Sequence, residues 1–268
     1  MLTYFVHELK LGYRLATAKA PLGEDIARAM VNICNKDSKL PEILVVVDPF
    51  CGSGTLAIET ALALKGSFNK YQRDLPLEGT KLSARVKKFC KTNPESLVST
   101  KMEESNIYIV AGDRDAGAIQ AATSNAQRAG VDKLIEYKCQ SVSDSLQSVL
   151  ERVQNLSEKS KQVEVWIITN PPFGRRLSTK SSSKPGAMEV KTPLLPLYQK
   201  LGNYVNKLGS LANVKVTLAM VAHDSRIIHH MGLDEWVTVF RTNHGGIPIV
   251  GILSTVDRKS AETNLTVV

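Results

Sequence analysis

Near the middle of the chain, Asn170-Pro-Pro-Phe173 follows the apolar run Ile167-Ile-Thr169 and precedes Gly174-Arg-Arg176. A polar residue, two prolines and an aromatic at a strand end are hard to explain as packing. Proline offers a carbonyl acceptor but no N–H donor, so Asn170 Oδ1 and the Pro171 carbonyl can both accept protons from one planar amino group. The nitrogen of such a group, guanine N2 or adenine N6 for example, is a poor nucleophile because its lone pair is delocalised into the ring. Two acceptors draw it toward tetrahedral geometry and aim the lone pair at an electrophilic carbon. In-line displacement then needs no strong base, and positioning can supply ~7–11 kcal/mol of the barrier. Phe173 is placed to stack on a base drawn out of its helix. Arg175 and Arg176 suit the neighbouring phosphates. The plain alternative is a Pro-Pro turn around Pro171 and Pro172, with Phe173 in the core and the arginines in solvent.

A second constellation favours the chemical reading. Asp48-Pro-Phe-Cys-Gly-Ser-Gly-Thr55 lies between an apolar β-branched run and a helix-forming run, the place where a strand turns into a helix and the backbone faces a ligand crevice. Phe50, Cys51 and Thr55 flank Gly52 and Gly54, whose missing Cβ atoms permit positive φ and a close ligand. The spacing of Gly52, Gly54 and Ala57 also fits a dinucleotide loop. Charge argues against that, because the Asp48 carboxylate would repel a pyrophosphate. It would attract an ammonium or sulfonium by ~4 kcal/mol at 4 Å in an effective dielectric of 20. Further on, Gly112-Asp113-Arg-Asp115 ends another strand, and Asp113 can accept two hydrogen bonds from a ribose diol. Asp115 fits a helix cap.

These residues need a scaffold that brings strand ends together. Strands are expected at Ile43–Val47, Ile107–Ala111, Ile135–Cys139, Val163–Thr169, Val214–Ala222, Val237–Arg241 and Ile247–Leu253. The last two are joined through Asn243-His-Gly-Gly246. Helices are expected at Thr55–Leu64, Ala116–Ala129, Ser143–Leu156 and Leu195–Leu208. The alternation predicts an α/β, doubly wound, Rossmann-like sheet, mostly parallel, whose C-terminal hairpin gives one antiparallel edge strand. One such domain spans 20–256, after a lead-in segment at 1–19 and before a tail at 257–268. It carries a basic insertion at about 65–106, with Lys70, Arg73, Lys81, Arg85, Lys87, Lys88 and Lys91, and a Ser/Lys/Pro/Gly stretch at about 177–191 that resembles a mobile loop.

The 268 residues carry a net charge of +8 and a pI near 9.3, which suits a polyanionic partner. No apolar run approaches the ~20 residues of a membrane span, and the start lacks the apolar core of a secretory signal. Cys34, Cys51, Cys90 and Cys139 form no Cys-x-x-Cys pair, so no metal site is expected and the thiols read as reduced and intracellular, cytoplasmic or nuclear. His223, His229 and His230 lack acidic or cysteine neighbours at metal spacing and read as structural or surface residues, and Trp166 and Trp236 as packing aromatics.

Taken in order, Leu11-Gly-Tyr-Arg14, Ala20-Pro-Leu22, Asp48–Thr55, Gly112–Asp115, Asn125-Ala-Gln-Arg-Ala-Gly-Val131, Asn170–Gly174 and Asn243-His-Gly-Gly-Ile-Pro248 resemble the THUMP-associated RNA guanine-N2 methyltransferases over about residues 10–256. The resemblance implies S-adenosyl-L-methionine as cofactor, held by Pro21, Asp48, Cys51, Gly52, Gly54, Thr55 and Asp113, with the target amine at Asn170–Phe173. It implies guanine N2 in tRNA, ribosomal RNA or small nuclear RNA as the acceptor. Where the family has a third-strand acid facing adenine, this chain has Ser141, for which Ser141 and the Val142 N–H are the substitutes. The family's THUMP RNA-binding domain has no counterpart in this stretch. Eukaryotic relatives often work with a small zinc-binding activator subunit, and such a partner is an option here. Two other functions fit the same residues: an N6-adenine or protein-glutamine methyltransferase, since the clamp takes any planar amino group, and an inactive RNA-binding scaffold.

Overall fold

The computed structural model describes residues 13–15, 22–34, 41–65, 106–159, 162–173 and 194–257. The β-branched apolar runs form seven strands: β1 (Ile43–Asp48), β2 (Ile107–Asp113), β3 (Ile135–Cys139), β4 (Val163–Thr169), β5 (Val214–Ala222), β6 (Val237–His244) and β7 (Ile247–Asp257). They make one sheet in the order β3-β2-β1-β4-β5-β7-β6, and β1 to β5 pair in parallel. Continuous apolar strands are needed because both faces are covered. On one face Leu44 and Val46 of β1 meet α1 (Glu24–Cys34), α2 (Thr55–Leu64) and α3 (Ala116–Ala129) through Met30, Leu56, Ile58 and Ala126. On the other, Val45 and Val47 belong to a second core with Leu146 and Val149 of α4 (Val142–Lys159) and Tyr198 and Leu201 of α5 (Leu195–Gly209). Trp166 is buried, as expected of a packing aromatic, and its Nε1 donates to Glu164 at 2.9 Å.

Helix ends follow their local chemistry. Asp115 caps α3 by accepting from the Gly117 and Ala118 N–H groups at 2.8 and 3.3 Å, and Gly130 ends the helix in the left-handed conformation. The fourth helix runs past the expected Ser143–Leu156 at both ends because Ser141 caps it and Lys159 still lies within its last turn.

The sheet differs from expectation at its C-terminal side. The reversed strand is not at the edge: β7 lies between β5 and β6 and is antiparallel to both, so β6 is the edge and runs in the sense of β1 to β5. Burial explains the order. Residues Ile249 to Ser254 of β7 are all buried, whereas β6 alternates and leaves Val237 48% exposed. The hairpin turn is the tight pair Gly245 and Gly246, with φ 55° and 76°, the left-handed pair that a two-residue turn requires.

The basic insertion, the 177–191 stretch, Pro21, Arg175 and Arg176 lie outside the described residues. Among the described residues no helix is long and apolar enough to cross a membrane.

Candidate active site

The sheet order reverses at β1: the chain builds β2 and β3 on one flank, then returns to place β4 on the other. A crevice opens at such a point, outside the carboxyl ends of the strands. Asp48 ends β1, Asp113 ends β2, and Asn170 immediately follows β4, so the three candidates lie at neighbouring strand tips.

Direct bonds stitch these tips together. Thr169 Oγ1 donates to Asp48 Oδ1 at 2.9 Å, which ties β4 to β1 one residue before Asn170. The Phe50 N–H donates to the same oxygen at 3.2 Å. Gly52 donates its N–H to Asp113 Oδ2 at 3.1 Å, and Cys51 to the Gly112 carbonyl at 2.9 Å. The second carboxylate oxygen of Asp113 accepts from the Asp115 N–H at 2.9 Å. Each oxygen keeps a further lone pair, so Asp113 can still accept from a diol.

Asp48 is only 3% exposed. Burial pushes its carboxyl up to about 7 against the pull of the Thr169 and Phe50 bonds, and the charge on Asp113 adds to the rise. A cation placed beside Asp48 would reverse that cost. Burial likewise pushes the Cys51 thiol well up, so Cys51 is a packed, protonated side chain here.

The two glycines have different duties. Gly52 and Gly54 both have positive φ, 52° and 83°. At Gly54 a Cβ would lie 2.9 Å from the Ala122 Cβ and 3.1 Å from the Tyr137 hydroxyl, so it lets α2 approach α3 and β3. The loop is also held from outside the crevice, because Asn125 Nδ2 of α3 donates to the Ser53 carbonyl at 2.9 Å. Thr55, the first residue of α2, is 3% exposed, and its Oγ1 has no hydrogen-bond partner among the described residues.

Beyond β4, Pro171 is buried, Pro172 exposed, and Asn170 and Phe173 half-buried. Asn170 Oδ1 is buried with no partner among the described residues, so it could accept from a ligand. The Pro172 carbonyl is not available in the same way, since it accepts from the Tyr198 hydroxyl at 3.0 Å. Phe173 packs against the α1–α3 core at its edge, and its ring lies 5.7 Å from that of His223 at 51°. It therefore combines the packing and the site positions.

At the third tip, Ser141 donates to Asp144 Oδ2 at 2.7 Å and accepts from the Asp144 N–H at 3.2 Å. This is a side-chain N-cap, with the Ser141 hydroxyl engaged by its own helix. Val142 opens α4, where a backbone N–H has no intrahelical acceptor.

Sequence reasoning missed three contributors. Thr169 was visible only as a polar end to an apolar strand. Tyr198 occupies a core position of α5, and His223 lies just past β5; neither spacing relates them to Pro172 or Phe173. Among the described residues no group of three or more His, Cys, Asp or Glu side chains could hold a metal ion.

The residues present fit a ligand that is cationic at one end and carries a sugar diol at the other. Asp48 would face the cation, Asp113 the diol, and Thr55 Oγ1 would gain the partner it lacks.

Residues 11–225 match the family model described as UPF0020, RMKL-like methyltransferase domain. The "Putative RNA methyltransferase YpsC" of Bacillus subtilis is 32% identical over 189 residues, which cover 70% of this chain and 44% of that protein. The ribosomal RNA large subunit methyltransferase K/L of Aliivibrio fischeri is 30% identical over 267 residues, 93% of this chain and 32% of that protein. The chain thus spans less than half the length of these curated relatives. Among solved structures, SMU.472, titled "a putative methyltransferase complexed with SAH", superposes with a TM-score of 0.57 at 21% identity, covering 93% of this chain and 55% of that one. That likeness is one of fold.

Proposed function

The chain belongs to the RMKL-like methyltransferase domain family, and on that premise we propose that it is an S-adenosylmethionine-dependent RNA methyltransferase acting on the exocyclic N2 of guanine. The observation that carries the reading is Asn170 Oδ1, buried and without a partner among the described residues, one residue beyond the Thr169–Asp48 bond.

When bound, the cofactor supplies a methyl group on a positively charged sulfur. Asp113 would hold the ribose diol, Asp48 would face the methionine ammonium, and Thr55 would contact the same end. Asn170 Oδ1 and the Pro171 carbonyl accept the two amine protons and orient the nitrogen lone pair. Both acceptors also stabilise the positive charge that develops on that nitrogen, and solvent takes the surplus proton once it has formed. Tyr198 fixes the prolines through the Pro172 carbonyl. Phe173, backed by His223, offers its face to the flipped base. Arg175 and Arg176, next along the chain, would take the adjacent phosphates.

Structured RNA is the acceptor that a net charge of +8 suits, and the protein would work inside the cell, where that RNA is made. The test is methyl transfer from labelled cofactor to total RNA, with the modified nucleoside identified by mass spectrometry. N2-methylguanosine is the expected product. N6-methyladenosine would move the specificity to adenine. No labelled nucleoside, despite tight S-adenosylhomocysteine binding, would overturn RNA as the substrate.

A further inference from the structure

The segment at residues 13–15 has no place in the chemistry above, yet its contacts lead to the cofactor loop. Tyr13 is 7% exposed, and its hydroxyl donates to Glu59 Oε1 at 2.8 Å. Glu59 is itself 3% exposed and lies one turn along α2 from Thr55. The Tyr13 carbonyl accepts from Arg128 Nε at 2.8 Å. Arg128 reaches back through Nη2 to Asn125 Oδ1, and Asn125 Nδ2 donates to the Ser53 carbonyl at 2.9 Å. The circuit closes because Gly54, next to Ser53, starts α2, and its carbonyl accepts from the Ile58 N–H at 2.9 Å.

The result is a ring: glycine loop, α3, the 13–15 segment, α2, and the loop again. Three of its four side chains are buried, where an unmade hydrogen bond is costly, so the bonds tend to form or fail together. Arg128, the fourth, lies on the exposed face of α3. Its side chain joins the 13–15 segment to the residue gripping the loop.

We propose that Tyr13 and Arg128 are positioning residues for the cofactor loop, so that the seating of the 13–15 segment sets cofactor affinity from outside the crevice. Both residues act through protein partners: Tyr13 through Glu59 and Arg128, and Arg128 through Asn125. Arg128 holds the Asn125 amide oriented so that its Nδ2 pulls on the Ser53 carbonyl, and Tyr13 anchors Arg128 to α2. A loop held in this way is already in its binding shape, which removes an ordering cost from the binding step. The proposal rests on the methyltransferase reading for the identity of the ligand, but not for the existence of the brace.

The experiment compares wild type with Arg128→Met, Arg128→Lys and Tyr13→Phe. Two quantities are read: S-adenosylhomocysteine affinity by calorimetry, and amide hydrogen exchange at residues 52–55 of the ligand-free protein. Arg128→Met, which removes the bonds to both the Tyr13 carbonyl and Asn125 Oδ1, is expected to weaken binding about tenfold. It should also speed loop exchange by more than any change in global stability accounts for, while kcat at saturating cofactor stays near wild type. Arg128→Lys, which keeps one donor, should fall between the two. Tyr13→Phe should act in the same direction, with a lower Tm because Glu59 loses a donor. Unchanged affinity and unchanged loop exchange in Arg128→Met would overturn the proposal, as would losses that merely follow a drop in Tm. Should wild type itself fail to bind S-adenosylhomocysteine, the methyltransferase reading fails, and the exchange measurement alone decides the brace.

Discussion

On the β1–β2 side of the crevice, Phe50, Cys51, Gly52 and Gly54 each donate a backbone N–H within the protein, and the Ser53 carbonyl is held by Asn125. On the β4 side, two of the four residues Asn170–Phe173 are prolines with no N–H to donate. Among the described residues that stretch is held by the Tyr198 hydroxyl and the ring of His223. The first side is fixed by its own chain and so presents a finished surface to the cofactor. The second keeps one strong acceptor, Asn170 Oδ1, without a partner among the described residues. A cofactor that must be gripped again at every turnover suits a rigid cradle. On the proposed function, a base to be drawn out and aligned would suit an acceptor with no partner among the described residues.

Four measurements would break or sharpen that contrast. Asn170→Ala should lower kcat by about a thousandfold, the scale of losing a group aimed at developing charge, with S-adenosylhomocysteine affinity within about twofold of wild type. Near-normal turnover would remove the division of labour altogether.

Asp48 comes next, and its effect has a sign in pH. Its folded-state value, about 7, lies above the ordinary 3.8, so its contribution to stability is fully present below about pH 4 and is lost as pH rises through 7. Between pH 5 and 8 the ligand-free wild type should lose about 2–3 kcal/mol relative to Asp48→Asn. Differential scanning calorimetry of the pair would show it as about 5–10 °C in Tm. Ligand affinity of the wild type should rise over the same interval, as the carboxylate becomes available to a cation. A Tm difference that does not vary with pH would remove Asp48 from the cation's side.

Asp113→Ala deletes two acceptors of backbone N–H groups as well as the diol site, and calorimetry should show binding weakened about thirtyfold. Its kcat at saturating cofactor should hold. The smallest effect is expected from Tyr198→Phe, which frees the Pro172 carbonyl. Steady-state kinetics should show about a threefold to tenfold lower kcat and an unchanged cofactor KM.

Most of the scaffold was legible because its signals are local. Ile43–Val47 has to be buried on both faces, and Asp115 and Gly130 punctuate α3 through bonds to their own neighbours. The acidic tips were legible for the same reason, each being the polar end of an apolar run. What escaped depends on residues far apart in the chain. That β7 would slip between β5 and β6 is decided by competition among apolar faces, not by the Gly-Gly turn that joins it to β6. The packing duty of Gly54, against Ala122 and Tyr137, likewise joins residues far apart in the chain. Asn125 was visible only as part of a family pattern; its grip on the loop spans 72 positions.

The central seat of β7 has a consequence for biosynthesis. The family match ends at residue 225, yet the strand that covers β5 extends to Asp257. At about 5–20 residues per second, a ribosome needs a few seconds to make those last residues. During that interval β5 is a bare, sticky margin of an otherwise assembled sheet. A truncation near 225 would make that condition permanent, so such a fragment should precipitate even though it retains every residue of the crevice.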